Sequence, residues 1–152
     1  MSKPVINYIS GIPGIGKTEW AIARIKDCLS KKNDIILYVA PTKQLLNEVY
    51  KRLVNDCDEK TLKRVHRNYG IHVPYGKVAQ TFGSALTGAA EVDGSKRKTL
   101  RAGHIVLMTH QGFISIPSIP RSDELTVIFD ESRKCVSEAI PIKFNSSAEQ
   151  EL

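Results

Sequence analysis

Gly11-Ile12-Pro13-Gly14-Ile15-Gly16-Lys17-Thr18 is the stretch that decides how this chain folds. It fits the spacing G-x-x-x-x-G-K-[ST] at all four fixed positions. With glycine near about 7% of average usage, a chance match in 152 residues has odds of roughly 0.5%. An apolar, β-prone run, Val5-Ile6-Asn7-Tyr8-Ile9, precedes it. Trp20, Ile22, Ala23, Ile25, Cys28 and Leu29 follow at helical spacing. A strand, then a glycine-rich turn, then a helix is the setting in which such a loop holds nucleotide phosphates.

The residue types match that chemistry. Glycines have no Cβ, so the backbone can curl around an anion and point its N–H groups inward. The helix that starts at the loop turns its positive dipole end toward the phosphates. Gly11, Pro13, Gly14, Ile15, Gly16, Lys17 and Thr18 form the expected nucleotide-binding set. Lys17 would reach the β- and γ-phosphates as a mobile point charge, and the Thr18 hydroxyl would ligate Mg²⁺, a hard ion that prefers oxygen.

Strand and helix signals alternate outward from this loop. Residues 5–9 read as a strand and 17–30 as a helix. Residues 34–40 are a nearly continuous apolar run, typical of a strand buried on both faces. Helical spacing returns over 43–54, and 105–109 and 125–129 read as further strands. The expected fold is therefore α/β, a three-layer arrangement with a mainly parallel sheet, in a single domain over 1–152. Residues 78–82 read as a short strand. Residues 83–103, rich in Gly, Ala, Ser and basic side chains, read as a mobile loop or a short helix. Residues 133–152 read as a C-terminal tail.

The last strand signal ends in Asp130-Glu131. In open α/β sheets, ligands bind outside the carboxyl ends of the strands. A carboxylate delivered there can meet the glycine-rich loop although far from it in sequence. Asp130 would hold Mg²⁺, and Glu131 would orient or deprotonate an attacking water. Lys17 and Glu131 are thus the expected catalytic residues, and Thr18 and Asp130 the expected metal ligands.

Composition sets broad limits. Hydrophobic residues make up 41% and charged residues 25%, ordinary values for a globular chain. No stretch approaches the roughly 18 apolar residues of a membrane-spanning helix, and the N-terminus shows no signal-peptide pattern, so no membrane partner and a cytoplasmic setting are expected. The three cysteines and four histidines show no metal-ligand spacing, which argues against zinc. Lys and Arg outnumber Asp and Glu by 22 to 16, a formal charge of +6 that suits a polyanion.

Several segments together resemble the first RecA-like domain of superfamily 2 helicases of the DEAD/DEAH-box type. Gly14-Ile15-Gly16-Lys17-Thr18 resembles motif I. Val39-Ala40-Pro41-Thr42-Lys43-Gln44-Leu45 resembles motif Ia, and Ile105-Val106-Leu107-Met108-Thr109-His110 the strand-then-Thr-His element. Phe129-Asp130-Glu131-Ser132 resembles motif II. The resemblance spans residues 5–132. It implies an ATP-binding domain that hydrolyses ATP with Mg²⁺ and acts on DNA or RNA. It makes Thr42, Lys43, Thr109 and His110 candidate backbone contacts to nucleic acid, with Gln111 beside them. Thr42 could equally cap the next helix, and His110 could be structural. The chain departs from the family at Arg133, after motif II. It has only a faint echo of motif III at Ser146-Ser147-Ala148, and no adenine-reading glutamine before the loop. The resemblance implies truncation after motif II and a second RecA-like domain or subunit that supplies an arginine finger. The alternatives are another P-loop motor such as a viral DNA-packaging terminase ATPase, a nucleotide or small-molecule kinase, and a nucleotide-stabilised binding module.

Overall fold

In the computed structural model, residues 14–88 and 99–130 are described. The strand expected over 5–9, Gly11, Pro13, Glu131 and the tail over 133–152 lie outside them. The helices are α1 (Lys17–Lys31), α2 (Lys43–Asp56), α3 (Glu59–Leu62), α4 (Val78–Thr87) and α5 (His110–Ile114). The strands are β1 (Ile35–Ala40), β2 (Val65–Arg67), β3 (Ile105–Thr109) and β4 (Leu125–Phe129), in the order β2-β3-β1-β4. Every pairing is parallel, as the alternating strand and helix signals require.

The interior position of β1 follows from its sequence. Ile35 to Ala40 are all buried, so this strand has no wet face. Ile36, Tyr38 and Ala40 face one layer with Ile22 and Ile25 of α1 and Leu46 and Val49 of α2. Ile35, Leu37 and Val39 face the other with Val78, Phe82 and Leu86 of α4. The period of two divides one apolar run between two cores. Ion pairs Arg52–Glu19 and Lys26–Asp56 then tie α1 to α2 along their exposed rims.

The parallel register brings the strand ends to one edge. Ala40 pairs with Thr109, and Val39 with Phe129. The ladder runs one step further, with the Asp130 N–H donating to the Val39 carbonyl at 2.9 Å. Pro41-Thr42, His110 and Asp130 therefore leave the sheet side by side.

Two expectations need correction. Residues 78–82 are not a strand: they begin α4. Val78, Phe82 and Leu86 recur every fourth residue and bury one helix face, a period that outweighs the β-prone look of the first five residues. Gly88 ends the helix at φ 71°, and its N–H donates to the Ser84 carbonyl at 2.9 Å. Residues 83–87, expected to open a loop or short helix, thus complete α4. Leu100 is pinned back on it, its N–H donating to the Ala85 carbonyl at 2.8 Å. Strand β2 was not expected at all. Three residues, two of them His66 and Arg67, carry too little alternation to be seen. Among the described residues no helix is long and apolar enough to cross a membrane.

The helical assignment of α4 is testable at Gly83, where an added Cβ would meet nothing within 4 Å. Gly83→Ala is expected to stabilise the chain by about 0.5–1 kcal/mol, because alanine holds helix better than glycine. Urea unfolding of the two proteins measures this, and a loss of stability would contradict the helix.

Candidate functional site

The site is built where α1 begins. Gly14 and Gly16 sit at φ 86° and 89°, backbone conformations that L side chains rarely adopt. An added Cβ would be uncrowded at both, so conformation and not space demands glycine here. Gly16 is the N-cap of α1, and its carbonyl accepts the first helical hydrogen bond from the Trp20 N–H at 2.9 Å. Lys17 and Thr18 therefore occupy the first turn, where helix N–H groups lack partners within the helix.

Across the edge stands Asp130, just past β4 and 7% exposed. Thr18 Oγ1 donates to Asp130 Oδ2 at 3.0 Å, joining residues 112 apart in sequence. The Tyr38 hydroxyl donates to the same Oδ2 at 2.6 Å. The Asp130 carbonyl lies 2.9 Å from His110 Nε2, and since a carbonyl only accepts, that nitrogen carries the proton. One residue is thus held by α1, β1, α5 and, through its N–H, the sheet itself. A buried carboxylate needs such donors, because an unpartnered one would pay a large desolvation cost.

The donor set fits a hard cation. A hydroxyl and a carboxylate oxygen meet at one point beside the N-terminus of α1, and Mg²⁺ takes few carboxylates, keeping water and substrate phosphates as its other ligands. Among the described residues no group of three or more His, Cys, Asp or Glu could form an all-protein metal cage.

The four residues expected to touch nucleic acid separate into two kinds. Thr42 and Lys43 are exposed at the start of α2. The Thr42 side chain caps that helix, accepting from the Leu45 N–H at 3.2 Å. Thr109 caps α5 in the same way, accepting from the Gly112 N–H at 3.1 Å. A hydroxyl that accepts in a cap still has a proton to donate. His110 differs: it is 7% exposed, and its ring is turned toward Asp130 instead of the surface. Its neighbour Gln111 is exposed.

Several basic clusters fall elsewhere. Lys31 and Lys32 end the helix that Lys17 begins, roughly 20 Å away at 1.5 Å per residue. Lys63 and Arg64 precede β2 and so stand at the opposite edge of the sheet. Lys31 pairs with Asp27 and Lys63 with Glu59. Arg67 stacks on the Tyr50 ring at 4.2 Å. The thiols of Cys28 and Cys57 are pushed up by burial, and Cys28 Sγ donates to the Asp34 carbonyl at 3.2 Å.

Sequence reading missed Tyr38. Its signal was present: it is the one side chain with a polar tip in the apolar run over 35–40, and a buried phenol needs a partner.

A family model described as DEAD/DEAH box helicase matches residues 4–149. No curated protein and no solved structure matches the chain.

Thr42 separates helix capping from surface contact. Thr42→Ala is expected to cost about 1 kcal/mol of stability, whereas Thr42→Ser, which keeps the capping oxygen, changes it little. Thermal or urea unfolding of both variants gives the comparison.

Proposed function

This chain belongs to the DEAD/DEAH box helicase family, and on that premise we propose that the Thr18–Asp130 edge is the ATP-hydrolysing centre of a nucleic-acid-dependent motor. The observation that carries the proposal is the 3.0 Å hydrogen bond from Thr18 to Asp130. It joins the phosphate-binding helix start to the carboxylate at the end of β4.

In this reading the residues of the glycine-rich loop wrap the triphosphate, and Lys17 offsets charge on its β- and γ-oxygens. Thr18 and Asp130 would hold Mg²⁺, which would supply positive charge to offset that of the phosphates. Glu131, the next residue after Asp130, orients the attacking water and accepts its proton. Thr42, Lys43 and Thr109, with Gln111, grip the sugar-phosphate backbone of DNA or RNA and read no bases. His110 serves the site from beneath, holding the carbonyl of Asp130. A second RecA-like domain or subunit adds the arginine that stabilises the transition state, worth about 10³–10⁵ in rate. Without that arginine, binding is expected to be intact and turnover slow.

Two measurements test the reading. Lys17→Ala is expected to lower ATP turnover by on the order of 10²-fold or more, as removal of a positioned electrostatic group does. ATP turnover equal to wild type in that variant would refute the assignment. Lys43→Ala is expected to weaken single-stranded polynucleotide binding equally across sequences and to reduce the slope of log K against log salt by about 1. An unchanged slope would remove Lys43 from the interface.

A further inference from the structure

We infer that Tyr38 is a positioning residue for the cation site, fixing which oxygen of Asp130 is presented to the metal. The inference rests on the proposed nucleotide site and goes beyond it.

The geometry begins with register. Tyr38 pairs with Ile128 across β1 and β4. Asp130 lies two residues beyond Ile128, on the same face and roughly 7 Å further along the strand. A diagonal neighbour at that distance is within reach of an aromatic side chain. The phenol spans the gap and ends 2.6 Å from Oδ2. Tyr38 is fully buried among Ile22, Ile25 and Ile128. Packing alone would be served as well by phenylalanine, so the hydroxyl requires another reason. That reason is on the acceptor: Thr18 and Tyr38 converge on one oxygen from two elements.

Two donors on a single oxygen stop the carboxylate from turning about its terminal bond. With only Thr18 as donor, Asp130 could exchange its two oxygens, and the hydroxyl that must also meet the metal would be the sole restraint. With Tyr38 present, the plane of the carboxylate is set before any cation arrives. Groups that orient a metal ligand in this way commonly contribute 10- to 100-fold in metal affinity.

The test uses Mn²⁺ as a spin-active stand-in, titrated into the full chain with ADP and followed by the loss of the free-ion electron paramagnetic resonance signal. Wild-type binding that disappears in Lys17→Ala checks the site itself; absence of Mn²⁺–ADP binding by wild type would overturn both the site and the role of Tyr38. Given wild-type binding, Tyr38→Phe is expected to raise the Mn²⁺ Kd about 10-fold, while the Kd for ADP without metal changes less than twofold. A folded Tyr38→Phe, verified by circular dichroism, whose Mn²⁺ Kd stays within twofold of wild type would overturn the inference and leave the site standing. A parallel loss of both affinities would also overturn it, marking Tyr38 as merely structural. If Tyr38→Phe does not fold, 3-fluorotyrosine introduced at position 38 keeps the ring nearly the same size and makes its hydroxyl a stronger donor. The Mn²⁺ Kd is then expected to move at least twofold, and an unmoved value overturns the inference.

Discussion

A buried carboxylate is the constraint around which this molecule is organised. Asp130 is 7% exposed, and a negative charge so far from water must be met by donors. Those donors come from segments that are far apart in sequence: Thr18 from α1 and Tyr38 from β1. They can converge only if β4 lies directly against β1 and the first turn of α1 sits over the end of both. The parallel register supplies the first condition. The packing of Ile22 and Ile25 against Ile36 and Tyr38 supplies the second. The site is thus a product of the core, and disturbing the layer between α1 and β1 would disturb the carboxylate as surely as changing its direct partners.

The same residue joins the two layers of the fold. Its side chain is held from the α1 layer, while its carbonyl accepts from His110, at the head of α5 in the other layer. Helix α5 is itself fitted closely to the sheet. A Cβ at Gly112 would come to 3.1 Å from the side chains of both Met108 and Val78, which would have to give by a few tenths of an ångström. Phe113 meets Phe129 edge to face with ring centroids 4.9 Å apart. The surface that presents Gln111 and the cap of Thr109 is therefore one hydrogen bond from the strand end that carries the carboxylate.

Much of this was legible in the sequence. The run over 35–40 has no polar break except a phenol, and it is an interior strand of the sheet. The glycine-rich loop marked the start of α1, and the apolar run before Asp130 marked β4. What escaped notice was short or depended on tertiary partners. Strand β2 has three residues and an edge position, so no periodicity could reveal it. Residues 78–82 looked extended because the matching face of α4 emerges only when Leu86 is included. The sequence leaves His110 open between a nucleic-acid contact and a structural histidine, because nothing in sequence tells an outward ring from an inward one. The role of Tyr38 depended on a partner 92 residues away, a juxtaposition that only the register defines.

The order of the strands also has a consequence for synthesis. Strand β1 takes its partners from β3 and β4, both made long after it. From Ala40 to Phe129 a ribosome adds about 90 residues, which at about 5–20 residues per second takes roughly 5–20 s. Until β3 and then β4 have been made, β1 lacks the two strands that pair with its edges. Contacts of such long sequence separation also make the final closure slow. A nascent chain of this kind makes an apolar inner strand early and completes its pairing last, and transiently exposed apolar surface of that sort is what chaperones shield.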